Sequence, residues 1–243
     1  HPGWTNYRKR LQYQTYAVTL HSGKNRVALT LANGWYKGTL GFMPEPNHYG
    51  DTTAALAALC ITYADGREEW IGTDESWLCT TGAVQFSEIY DGETQDFTAA
   101  PAAPQSAKLF DYGFDTIIGQ ENEPVRCLQR LPVVREFTAP NGDHLFDFGQ
   151  NLTGWVEVEI YGDKGQQLTL RHAESLDENG NFYTENLSWA KATDTYILSG
   201  GKQILHPHFT WHGFRYLCVE GLQYGQNVPF TACHLSTDLQ QTG

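Results

Sequence analysis

Residues 155–160 place Val156, Val158 and Ile160 in strict alternation with Glu157 and Glu159. A period of two sends successive side chains to opposite faces of a strand, so this stretch reads as a half-buried antiparallel strand with one wet face. Residues 167–173, 193–198 and 214–220 read the same way, and turn signals separate them at 162–165, Asn179-Gly180 and Gly200-Gly201. In the first half, 12–20, 26–30, 54–63 and 68–73 are strand-like, the last two joined by Asp65-Gly66, a strong hairpin signal. No stretch sustains a helical period beyond about two turns. Aromatic residues at 13%, 24 glycines and a single methionine agree with strands and turns. Five of the ten prolines fall between 98 and 140, opening with Ala99-Ala100-Pro101-Ala102-Ala103-Pro104. The expected fold is all-β: two antiparallel β-sandwich, jelly-roll-like domains over 1–98 and 125–243, joined by a Pro-rich linker over 99–124.

Composition narrows the function classes. Sixteen basic against 28 acidic residues give a formal charge of −12, which opposes a nucleic-acid partner. The longest apolar run, 54–61, is far short of the roughly 20 residues of a membrane-crossing helix, so no membrane partner is expected. Cys60, Cys79, Cys127, Cys218 and Cys233 are odd in number and lack C-x-x-C spacing. They read as reduced small hydrophobes and lean toward a cytoplasmic setting.

Candidate chemistry is sparse. The P-loop, G-x-G-x-x-G, G-x-S-x-G and H-E-x-x-H signatures are absent. Glu157 and Glu159, two residues apart on one strand face, stand roughly 7 Å apart, a spacing open to glycoside hydrolysis, though a solvated strand face explains them better. Asp91, Glu93, Glu174, Asp177 and Glu178 are further acids, each close to Gly or Asn and explained equally by turns. His206, His208 and His212 admit a metal site, but Pro207 interrupts the strand and no third ligand stands at a recognised spacing. Trp4, Tyr7, Tyr13, Tyr16, Trp35 and Tyr36, with Asn6 and Asn33 beside them, could stack on sugar rings or fill a core.

Four strings in order carry a family likeness: 2–16 (PGWTNYRKRLQYQTY), 33–38 (NGWYKG), 73–77 (TDESW) and 89–93 (IYDGE). They resemble the N-terminal module of bacterial α-L-rhamnosidases of glycoside hydrolase family 78. Segments 147–155 (DFGQNLTGW), 170–174 (LRHAE), 192–198 (ATDTYIL) and 209–216 (FTWHGFRY) resemble the concanavalin-like β-sandwich of the same family. The resemblance implies a parent enzyme that hydrolyses terminal α-L-rhamnosides by inversion, with both catalytic carboxyls on an (α/α)6 barrel that has no counterpart here. This chain is then expected to be a non-catalytic β-sandwich region, cut at the start of its first module, with no catalytic residue of its own. Its partners would be rhamnose-containing glycosides and the catalytic (α/α)6 domain. The resemblance also leaves open a stand-alone calcium-dependent rhamnose-binding module, with Asn6, Asn47 and the Trp35 platform as carbohydrate-binding residues and calcium as the cofactor.

Overall fold

A computed structural model describes residues 2–41, 44–223, 225–240 and 242. The expected outer limits at residues 1 and 243 lie outside the described residues. Among the described residues the fold is nearly all β, with one helical turn at Gly34–Lys37 and one 3-10 turn at Glu185–Leu187. A ten-stranded sheet forms its body. Its path runs Val84–Glu88, Gly92–Asp96, Thr193–Ile197, Gln167–Ala173, His212–Glu220, His144–Gly162, Phe230–Thr237, Val125–Pro132. Arg135–Thr138 and Gly201–Leu205 pair with opposite ends of the long strand His144–Gly162.

That 19-residue strand exchanges partners along its length, which curls the sheet around its core. Register shifts between Asp147 and Leu152, where Gly149 takes a left-handed φ of 82°. Asp147 stitches the break: Oδ1 accepts the Gly149 amide at 2.7 Å and the Arg215 Nε at 2.8 Å, and Oδ2 accepts Arg215 Nη2 at 2.9 Å. The fork holds the Asp147 carboxyl below its usual range. Since folding lowers this pKa, the pair's contribution to stability is full above the ordinary aspartate value of about 4 and is lost as pH falls through the folded value. Asp147→Asn is expected to flatten the acid limb of a urea-midpoint-against-pH profile and to lower the midpoint at neutral pH.

The alternation at 155–160 resolves as expected. Val156, Val158 and Ile160 are buried, while Glu157 and Glu159 face outward to Arg130 (2.7 Å) and Lys202 (2.7 Å). Leu168, Leu170, Tyr196, Leu198, Phe214 and Leu217 are among the residues that join them in the interior, each apolar side chain contributing about 1.5–3 kcal/mol by leaving water.

The first half differs. Ala58–Thr62 and Glu68–Gly72 form the expected hairpin around Asp65-Gly66, with Gly66 at φ +85°. It is a two-stranded sheet with Trp70 67% exposed. Of the expected strand 12–20, only Leu11–Tyr13 is a strand, paired in parallel with Ile117–Gly119, and 26–30 joins no ladder. Val18, Leu20, Val27, Leu29 and Leu31 alternate but remain exposed, with no cover from the described residues. Alternation specifies a strand only where a partner face takes up its apolar side.

Residues 99–124, Pro-rich at their start, carry Gln105–Ser106 and Ile117–Gly119, which return to Leu78–Cys79 and Leu11–Tyr13. The hairpin Val84–Glu88/Gly92–Asp96 lies before that segment in sequence yet belongs to the large sheet, where Gly92–Asp96 runs parallel to Thr193–Ile197.

Candidate functional site

The corner holding Asn6, Trp35 and Asn47 is assembled from three segments. Arg8 Nη2 donates to the His48 carbonyl at 2.8 Å, Trp4 Nε1 donates to Tyr49 Oη at 3.2 Å, and the Asn47 amide donates to the Lys37 carbonyl at 2.8 Å. Asn6 caps a tight turn: its backbone carbonyl accepts the Lys9 and Arg10 amides, and Oδ1 accepts the Arg8 amide at 3.2 Å. Asn47 is exposed at φ 65°. Trp35 contacts Trp4 at 6.0 Å and meets Tyr90 at 5.6 Å and Trp211 at 6.0 Å edge-on. Its ring therefore joins the first segment to the large-sheet half of the molecule.

Calcium seeks six to eight oxygens. Around Asn6 and Asn47 one amide oxygen already accepts a hydrogen bond, and the Arg8 guanidinium is fixed to the neighbouring carbonyl. Two side-chain amides beside a guanidinium fall short of the oxygen set that calcium takes. Next to it lies a cleft of about 290 Å³ lined by Tyr7, Arg8, Tyr36, Tyr49, Tyr112 and Thr116. Burial, then the nearby Tyr49, pushes the Tyr7 hydroxyl up to about 12, so this lining carries no tyrosinate at neutral pH from Tyr7. The cleft can stack on an apolar ring face and exchange neutral hydrogen bonds.

A larger cleft of about 470 Å³ is lined by Glu136, His144, Phe146 and Val228 among others. Glu136 Oε1 lies 2.7 Å from His144 Nε2 and is the only carboxylate among the lining residues. Glycoside hydrolysis needs two carboxyls facing the scissile bond, and neither cleft provides such a pair.

The other acids are engaged in structure. Glu157 forks with Arg130 (2.7 and 3.2 Å), which holds its carboxyl low. Asp91 pairs with Lys191 at 2.9 Å. Glu174 accepts Asn151 Nδ2 at 3.0 Å and Asn186 Nδ2 at 3.3 Å, and Asp177 closes a turn by accepting the Asn179 and Asn181 amides. Glu93 departs from its turn reading: it is fully buried in a strand and accepts the His208 and Phe209 amides at 3.1 and 2.9 Å and Gln95 Nε2. Burial raises its pKa.

The three clustered histidines separate. His206 stacks on Trp155 (5.5 Å) and meets His208 edge-on at 4.7 Å. His212 turns inward, stacks on His172 at 4.2 Å and places Nε2 3.0 Å from Asp194 Oδ2. His172, Asp194 and His212 are all buried and bring their ligand-type atoms within 4.8 Å of one another. Burial, then the adjacent His212, pushes His172 down to about 3, so its imidazole is neutral. Sequence spacing missed this group because its members come from three sheet neighbours. The signal was present nonetheless: His172 continues the inward series Leu168, Leu170, and Asp194 sits between inward Ala192 and Tyr196.

Residues 1–128 match the α-L-rhamnosidase N-terminal domain, and 137–236 match the bacterial α-L-rhamnosidase concanavalin-like domain. The chain belongs to the α-L-rhamnosidase family. It is similar to an α-L-rhamnosidase of Streptomyces avermitilis, 41% identical over 90% of this chain and 23% of that protein. One of Alteromonas sp. is 34% identical over 90% of this chain and 25% of the relative. Among solved structures, the S. avermitilis α-L-rhamnosidase complexed with L-rhamnose superposes with a TM-score of 0.84 at 37% identity, over 98% of this chain and 24% of that one. The Aspergillus terreus α-L-rhamnosidase superposes with a TM-score of 0.77 at 34% identity, over 86% of this chain and 26% of that one. The chain thus spans about a quarter of the length of these rhamnosidases.

Proposed function

We propose that this chain is the non-catalytic β-sandwich region of an α-L-rhamnosidase whose whole protein hydrolyses terminal α-L-rhamnosides by inversion. Its role is to brace a catalytic (α/α)6 domain of the same parent. The observation that carries this reading is the engagement of its acids: Glu157, Glu159 and Asp91 are ion-paired, Glu93 is buried, and neither described cleft presents two carboxylates. A pure, folded preparation is expected to release no aryl alcohol from an aryl α-L-rhamnoside above the uncatalysed rate. Turnover that scales with chain concentration and survives repurification would overturn the proposal.

The tyrosine-lined cleft favours a second reading, a rhamnose-binding module that works without a barrel. Calorimetric titration with L-rhamnose, first with calcium and then with excess chelator, separates the two. Saturable heat, with calcium or without it, supports the second reading. A flat trace in both conditions supports bracing.

A further inference from the structure

We infer that His172, Asp194 and His212 form a binding site for one divalent transition-metal ion of the zinc type, clamping three neighbouring strands of the large sheet. Each residue comes from a different strand: Gln167–Ala173, Thr193–Ile197 and His212–Glu220. Two imidazoles and one carboxylate suit a borderline ion such as Zn2+, whereas Ca2+ and Mg2+ take oxygen sets.

Two further observations point to a ligand. His172 Nδ1 lies 2.9 Å from the Ala192 carbonyl, which fixes the proton there and leaves Nε2 as a bare lone pair. That Nε2 is buried without any hydrogen-bond partner, a state that costs free energy unless something occupies the lone pair. A carbonyl holding the far ring nitrogen is also the usual support of a metal-bound histidine. On the same inward face, two residues beyond Asp194, Tyr196 Oη is likewise buried and unpartnered. The Asp194 carboxylate is oriented from behind, Oδ1 accepting the Glu93 amide at 3.0 Å.

The required adjustment is small. Metal–ligand bonds of roughly 2.0–2.2 Å place tetrahedral ligand atoms about 3.3 Å apart. His212 Nε2 and Asp194 Oδ2 already stand at 3.0 Å, and the widest separation in the group is within 4.8 Å. The ion would replace the His212–Asp194 hydrogen bond and draw His172 inward. A buried water on His172 Nε2 is the competing occupant.

The test uses the full chain, stripped with chelator and shown by circular dichroism to remain folded, then titrated with Co2+ alone. One equivalent is expected to bind with the visible absorption of a four- or five-coordinate site, which one equivalent of Zn2+ displaces. His172→Gln is expected to weaken Co2+ binding on the order of 100-fold or more, while the exposed-site control His208→Gln leaves it unchanged. Should His172→Gln fail to fold, crystals of the unmutated chain soaked in Zn2+ are to show one anomalous peak between the three side chains. No saturable uptake by the folded chain would overturn the proposal in favour of water. So would a peak at His206 and His208, or binding indifferent to His172→Gln in a folded variant.

Discussion

Glu93→Ala is expected to destabilise the chain by about 2–5 kcal/mol, read as a lowered urea midpoint at unchanged slope. Glu93 lies on Gly92–Asp96, within the first half, while the amides it accepts belong to His208 and Phe209, 115 and 116 positions away. Removing the carboxylate strands both backbone donors and takes one of two acceptors from Gln95 Nε2, which keeps the His206 carbonyl at 2.8 Å. A buried group left unsatisfied costs about 1–3 kcal/mol. Relief of desolvating Glu93 itself offsets part of this, which sets the lower end of the range. Glu93→Gln keeps one carbonyl oxygen and is expected to lose only about 1–2 kcal/mol. A Glu93→Gln variant as stable as the unmutated chain beside a costly Glu93→Ala would mean that packing, not hydrogen bonding, holds the strand.

Gly92→Ala is expected to cost about 3–5 kcal/mol and to release the hairpin from the sheet. Gly92 has φ +119°, and a Cβ there would stand 1.8 Å from the Thr193 carbonyl oxygen, a backbone atom that cannot turn aside. The substitution therefore meets both left-handed strain and a collision at the point where Gly92–Asp96 docks against Thr193–Ile197. Gly180→Ala separates the two effects. Its φ is +84°, but nothing lies within 4 Å of the added Cβ, so only conformational strain of about 1 kcal/mol remains. Thermal denaturation of both variants measures the difference, and similar melting temperatures would show that the hairpin does not sit tightly against Thr193.

The sheet of the second half was legible because its alternation coincides with real burial. Val156, Val158 and Ile160 face the interior and the intervening glutamates face charged partners, so periodicity and packing agree. The same logic overreached at 12–20, which is a strand only at residues 12 and 13, and at 26–30, which joins no ladder, and there Val18, Leu20, Val27 and Leu29 are exposed. Pairing of Gly92–Asp96 with Thr193–Ile197 was beyond local reading, because a parallel contact across about a hundred residues leaves no turn signal.

The candidate sites divide in the same way. Asn6, Trp35 and Asn47 came from a resemblance, and the fold gathers their segments into one corner where Trp35 is occupied by protein rings. The histidine string 206–212 was visible, but its split was not: Pro207 and the strand start at His212 turn His206 and His208 away from His212. Buried polar residues on inward positions, His172 and Asp194 above all, were the stronger signal.

The central claim is that the stable body of this chain is one curled sheet that includes the hairpin 84–96 and leaves most of the first half only lightly held. Hydrogen exchange read by mass spectrometry on the intact chain tests it most directly. Peptides covering 84–96 are expected to exchange as slowly as those covering 144–162 and 212–220, and peptides within 14–32 and 58–72 at least about a hundredfold faster, consistent with local opening free energies lower by roughly 3 kcal/mol. Fast exchange at 84–96 together with 14–32, behind a boundary near residue 98, would contradict the account. So would equal protection in both halves.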